Sequence, residues 1–218
     1  FEYKEVFIEI DKEIKIKSWF LEKDLKKNKT ILYFHGNAGD LTNRVHKLNE
    51  LNKLNVNILI ISWRGFSGNP GKPTEKNLYN DARKSVEWLN KAGVTNKNII
   101  LYGESLGTGV ATELGQSNSF AGIVLESPFT SIADAAKIYY PYLPIDLLIK
   151  DRYDSLKKIK NINVPILVMH GKKDNVVPFK MGVKLFDNAN QPKFSYFSDI
   201  DDHMTVSYTH LTLPTKVT

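Results

Sequence analysis

Short apolar runs alternate along this chain with stretches whose apolar residues recur at helical spacing. That alternation constrains the fold more than any other feature of the sequence. Thr30–Phe34, Val56–Ile61, Asn98–Tyr102, Ala121–Leu125, Val164–His170 and Phe194–Phe197 have the length of strands. Val56–Ile61 is apolar throughout, as in a strand covered on both faces. Between the runs fall Val45, Leu48, Leu51 and Leu54, then Leu78, Ala82, Val86 and Leu89, then Val110, Ala111 and Leu114, and later Met181, Leu185 and Ala189. Each set marks one face of a helix. Strands that alternate with helices pair in parallel, because each crossover helix carries the chain back to the start of the next strand. Tyr3–Ile10 and Ile14–Leu21, joined at Asp11-Lys12, predict an antiparallel hairpin at one edge. The expected class is α/β: a mostly parallel central sheet with an antiparallel N-terminal hairpin, helices on both faces and a small cap at about 128–160. In that cap Tyr139-Tyr140-Pro141-Tyr142-Leu143-Pro144 cannot be a regular helix interior. One domain is expected over 1–205, with 206–218 reading as a non-native tail.

Composition narrows the partners. With 42% hydrophobic residues among 218, the chain can bury a sizeable core. No apolar run approaches the roughly 18 residues that span a bilayer. The net charge of +6 comes from lysines scattered among acids, which suits a solvated surface or attraction to an anionic membrane surface. No basic stripe with interleaved aromatics stands out, so nucleic acid is not an expected partner. There is no cysteine, which removes disulfides, a cysteine nucleophile and cysteine metal sites. The first residue is Phe1 rather than methionine. The sequence leaves the location open between cytoplasmic and membrane-anchored through a segment before Phe1.

Gly103-Glu104-Ser105-Leu106-Gly107 carries the chemistry. It matches Gly-x-Ser-x-Gly and stands directly between an expected strand and an expected helix. There, a tight turn lifts a serine hydroxyl clear of the sheet and aims a helix N-terminus at the reacting carbonyl. The overlapping Gly107-Thr108-Gly109-Val110-Ala111-Thr112 begins like a dinucleotide fingerprint. It puts Thr112 where a small residue is needed, and it starts inside the helix. A serine nucleophile needs a base. His203 follows the last expected strand, at the sheet end where open α/β folds place their sites. His35 and His170 each end a strand and read as structural, and His46 falls on a helix surface. The acid that would orient His203 is Asp174, just after Val164–His170, with Glu126 as the runner-up. Ser105, Asp174, His203 is the serine–acid–histidine order. The oxyanion would be met by the backbone N–H of Leu106 and that of Asn37, in the turn His35-Gly36-Asn37-Ala38-Gly39.

These segments resemble the α/β-hydrolase superfamily, together with Trp63-Arg64-Gly65-Phe66-Ser67-Gly68, Glu126-Ser127-Pro128-Phe129-Thr130-Ser131, and His170-Gly171 followed by Asp174 and Pro178. The nearest likeness is to the small-cap branch of serine-aminopeptidase-like hydrolases and depalmitoylating thioesterases. The resemblance implies a triad mechanism with no cofactor and no metal, and an acyl-enzyme intermediate. The expected substrate is a small-molecule or lipid-like acyl ester or thioester, with Tyr139, Tyr142 and Leu143 of the cap as acyl contacts. A peptidase releasing N-terminal residues is the alternative, with Glu104 or Glu126 holding the α-amine. A non-catalytic binding protein on the same fold is a third reading.

Overall fold

A computed structural model of the chain describes residues 1–203; the tail at 206–218, His210 included, lies outside the described residues. The strands are β1 Lys4–Glu9, β2 Lys15–Leu21, β3 Thr30–Phe34, β4 Asn57–Ile61, β5 Ile99–Glu104, β6 Gly122–Glu126, β7 Ile166–Gly171 and β8 Lys193–Ser198. The helices are α1 Val45–Asn52, α2 Glu75–Lys91, α3 Leu106–Gly115, α4 Ile132–Tyr139, α5 Ile145–Leu148, α6 Ser155–Lys158 and α7 Phe179–Asn188. The strands form one sheet in the order β1-β2-β4-β3-β5-β6-β7-β8. β1 and β2 are antiparallel and β2 meets β4 antiparallel, while β3 to β8 run parallel. Asp11 closes the hairpin turn, its Oδ1 accepting the N–H groups of Glu13 and Ile14.

Side-chain alternation divides the core between the two faces of the sheet. On β3 and β4, Ile31, Tyr33, Ile58 and Ile60 pack with Leu48 and Leu51 of α1. Leu32, Phe34, Leu59 and Ile61 turn to the opposite face, among Leu78, Ala82 and Leu89 of α2 and Val110 of α3. Burying both faces explains why β4 reads as an uninterrupted apolar run. Within α1 only part of the expected stripe is covered: Leu48 and Leu51 are buried, but Val45 and Leu54 lie at the surface. The helix ends at Asn52, so Leu54 falls beyond its last turn.

The chain passes from β3 to β4 on one side and then to β5 on the other. The loops leaving β3 and β5 therefore part at the carboxyl edge and open a crevice between them. The insertion between β6 and β7 holds α4, α5 and α6, all short, and its outer surface is apolar. Ile138, Tyr142, Leu143, Leu147 and Leu148 are exposed, Tyr142 to 96%, and Tyr139 and Tyr140 are about half exposed. Among the described residues, no helix is long and apolar enough to cross a membrane.

Candidate active site

Ser105 occupies the turn between β5 and α3 with φ 50° and ψ −114°. Side chains rarely adopt this left-handed region, so a non-glycine residue held there carries local backbone strain. The turn is held by Ser105 N–H donating to Glu126 O at 2.9 Å and Thr108 N–H donating to Ser105 O at 2.9 Å. Its two glycines are required by crowding. A Cβ on Gly103 would come within 2.5 Å of Gly107 O, and one on Gly107 within 2.0 Å of Phe34 O. The sequence pattern is thus the imprint of a helix packed directly against the strand ends.

Ser105 opens onto a cleft of about 600 Å³ whose walls include Asn37, Leu106, Phe129, Ile132, Tyr139 and Val177. Leu106 is the first residue of α3, so its N–H has no carbonyl one turn earlier to bind. Asn37 lies across the cleft in the loop after β3. That loop is fixed from outside: Trp63 Nε1 donates to His35 O at 3.0 Å, and the His35 ring Nδ1 lies 2.7 Å from Gly36 O. Arg64, beside Trp63, is locked by a buried bidentate pairing with Asp81 of α2. Burial drives the His35 imidazole down to about 4, which keeps it neutral.

His203 Nδ1 stands 2.8 Å from Asp174 Oδ2. Asp174 is buried just past β7. Its other oxygen accepts the N–H groups of Val176 at 2.8 Å and Val177 at 2.7 Å, the two residues that continue as cleft wall. One carboxylate therefore shapes this loop and meets the imidazole. Burial would raise its pKa, but hydrogen bonds from His170, His203 and Val177 N–H outweigh that and hold it well below the usual carboxylate range. His170 also reaches Asp174 Oδ2, at 3.2 Å. It is fully buried and bound to Val177 O at 2.9 Å, whereas the His203 side chain is partly exposed.

The structure thus gathers Ser105, Leu106 and Asn37 around one cleft and joins His203 to Asp174 beside it. Of the cap residues, Tyr139 lines the cleft and its hydroxyl donates to Asn175 O at 2.6 Å. Tyr142 and Leu143 lie on the outer surface, away from the lining. Glu104 and Glu126 do not face the cleft as an anchor for an amine would. Both are fully buried and paired with Lys47, and Glu104 also with Arg44. Tyr140 of the cap lines the cleft too; Asp151 and Tyr153 also line it and escaped sequence reasoning, because the insertion has no period from which an inward face can be read.

A family model described as the alpha/beta hydrolase fold matches residues 29–153. The chain is 39% identical over 164 residues to an uncharacterized protein of Mycobacterium tuberculosis, covering 75% of this chain and 58% of that protein. It is 34% identical over 195 residues to a lysophosphatidylserine lipase of Danio rerio, covering 80% of this chain and 51% of the lipase. The chain spans about half the length of these curated relatives. Among solved structures, an esterase of Pyrococcus furiosus superposes with a TM-score of 0.75 at 23% identity, over 94% of this chain and 85% of the esterase. The sheet order, the strained serine turn and the family match agree: the chain belongs to the α/β-hydrolase fold family.

Proposed function

We propose that the chain is a serine hydrolase that cleaves carboxylic esters or thioesters of acyl substrates, with Ser105 as nucleophile, His203 as base and Asp174 as the acid that orients the imidazole. The observation that carries this reading is Ser105 held in a left-handed turn at the head of α3 and opening onto a largely apolar cleft. His203 takes the hydroxyl proton as Oγ attacks the carbonyl carbon, and the N–H groups of Leu106 and Asn37 receive the oxyanion. The carbonyl re-forms, the leaving alcohol or thiol departs with the proton from His203, and the acyl group stays on Ser105. Water, deprotonated by the same imidazole, then releases the acid.

Aromatic and aliphatic walls suit an acyl chain, and the relative in Danio rerio carries the name of a lipase. The exposed apolar side chains of the cap, together with the whole chain's net charge of +6, favour work at an anionic membrane surface. The peptidase reading loses its support, because both of its amine anchors are buried in ion pairs.

Labelling with a fluorophosphonate probe, followed by a p-nitrophenyl ester series against aminoacyl-anilides, tests the reading. Modification at Ser105 and preference for esters over anilides are expected. Folded protein that takes no label at Ser105 overturns it.

A further inference from the structure

Beneath the serine turn, on the α1 face of the sheet, lies a buried group of charges that the reaction does not itself use. Glu104 ends β5 immediately before Ser105, and Glu126 ends β6 with its carbonyl accepting Ser105 N–H. Lys47 of α1 bridges the two carboxylates, at 3.2 Å from Glu104 Oε2 and 2.6 Å from Glu126 Oε2. The hydroxyls of Tyr33 and Tyr102 donate to Glu104 and Glu126 respectively. Arg44 Nη2 lies 2.9 Å from Glu104 Oε1 and donates to Ala38 O, also at 2.9 Å. The same Oε1 accepts Gly36 N–H at 3.2 Å. All four charged residues are buried. Such a cluster is a poor source of stability, because desolvation offsets much of the attraction, yet removing one member leaves an unpaired buried charge. What it does have is direction. Its contacts with backbone grip Gly36 and Ala38, the residues on either side of Asn37: Gly36 through Glu104, the residue next to Ser105, and Ala38 through Arg44, which is paired with that carboxylate.

We propose that Glu104 and Arg44 are positioning residues that lock the turn at Asn37 to the serine turn, so that the two oxyanion donors stand at a fixed separation before substrate arrives. This rests on the serine hydrolase reading. The N–H groups of Asn37 and Leu106 follow two different strands, β3 and β5, and the pairing of those strands with each other ends at Phe34 and Gly103. A donor that wanders stabilises the developing oxyanion less than one already in place. Two anchor points on the backbone flanking Asn37, both tied to one buried carboxylate, supply register beyond the end of that pairing.

The test uses Arg44→Met, Glu104→Met and the double variant, since methionine at 104 cannot accept Gly36 N–H as glutamine would. Each single change leaves the buried cluster with one uncompensated charge and is expected to lower the melting temperature. The double change removes one cation and one carboxylate, leaves Lys47 with Glu126, and is expected to recover most of that loss. Turnover of p-nitrophenyl butyrate should not recover with it: kcat stays about ten- to a hundredfold below wild type while KM moves less than about threefold. Affinity for a trifluoromethyl ketone, which forms the tetrahedral adduct, should fall in parallel with kcat. Amide hydrogen exchange in residues 36–39 should be faster in the double variant, with the β5–β6 core unchanged. Recovery of kcat together with melting temperature would overturn the proposal and leave the cluster a structural role alone. Unchanged exchange at 36–39 would overturn it as well. Exchange reads the lock without any turnover, so a wild-type protein that takes no label at Ser105 would sink the hydrolase reading while the lock is still decided on its own.

Discussion

Asp174 presents one carboxylate oxygen to His203 Nδ1 at 2.8 Å and the other to the N–H groups of Val176 and Val177. Orientation of the imidazole and shape of the cleft wall thus depend on one side chain. In Asp174→Asn the side-chain carbonyl can still accept from Val176 and Val177, so the loop is expected to keep its form. The amide would face His203 with a donor, and Nδ1 would turn into an acceptor. The protein should fold with kcat reduced by about 10⁴-fold. Ser105→Ala should lose about 10⁴- to 10⁶-fold. Steady-state kinetics with circular dichroism on the same preparations checks both, and a Ser105→Ala protein retaining a tenth of wild-type turnover would dismiss the nucleophile.

Gly107→Ala is expected to cost about 3 kcal/mol or more, because the added methyl would sit 2.0 Å from the backbone oxygen of Phe34, which cannot move without breaking β3. Gly93→Ala is the comparison. Gly93 has φ 94° but open space around it, so only the backbone conformation opposes the change, at about 1–2 kcal/mol. Urea unfolding of the pair measures the difference, and equal costs would show that α3 does not press on the strand.

Stability should fall with acid in a window set by His35. Its folded value of about 4 lies below the ordinary 6.5. Between those pH values the unfolded chain binds a proton that the native chain refuses. Stability is therefore lost as pH drops from 6.5 to 4, by about 3 kcal/mol, and this contribution levels off below 4. Asp174 acts at lower pH and in the depressed-carboxylate sense: its stabilisation is present above 3.8 and is lost as pH falls below that value. Urea midpoints from pH 7 to 4.5 should slope in wild type and flatten in His35→Gln. Parallel slopes would remove His35 from the effect.

Substrate range should respond to the inner face of α4 and not to its outer neighbours. Ala135 lines the cleft and Tyr142 does not. Ala135→Leu is expected to lower kcat/KM for dodecanoyl esters about tenfold relative to butyryl esters, while Tyr142→Ala leaves that ratio alone in detergent-free solution. A chain-length series read as kcat/KM checks this, and a shift in the ratio with Tyr142→Ala would place the acyl route over the outer surface.

The parts of the site legible in the sequence are those where backbone geometry dictates residue type. Gly103 and Gly107 are glycines because nothing larger fits, so the serine between them announces its turn. Asp174 and His203 stand at the carboxyl ends of β7 and β8, where strand periodicity alone pointed. The charges beneath were not legible. Lys47 lies beside Leu48 on a helix whose polar residues otherwise face water, and no period separates a buried lysine from a solvated one. The clue was its partner: Glu104 closes an apolar strand, and a carboxylate in that place needs a cation. The cap resisted for the opposite reason. Tyr139 and Tyr142 are neighbours of the same type, and only the turn of the chain at Pro141 decides that one looks inward and the other out.

At Ser105 the backbone holds a shape that a residue without a side chain would adopt freely. Ser105→Gly should therefore melt above wild type while hydrolysing nothing. The turn should be sturdier with no side chain there, so a lineage that ceased to use that oxygen would gain by replacing the serine with glycine.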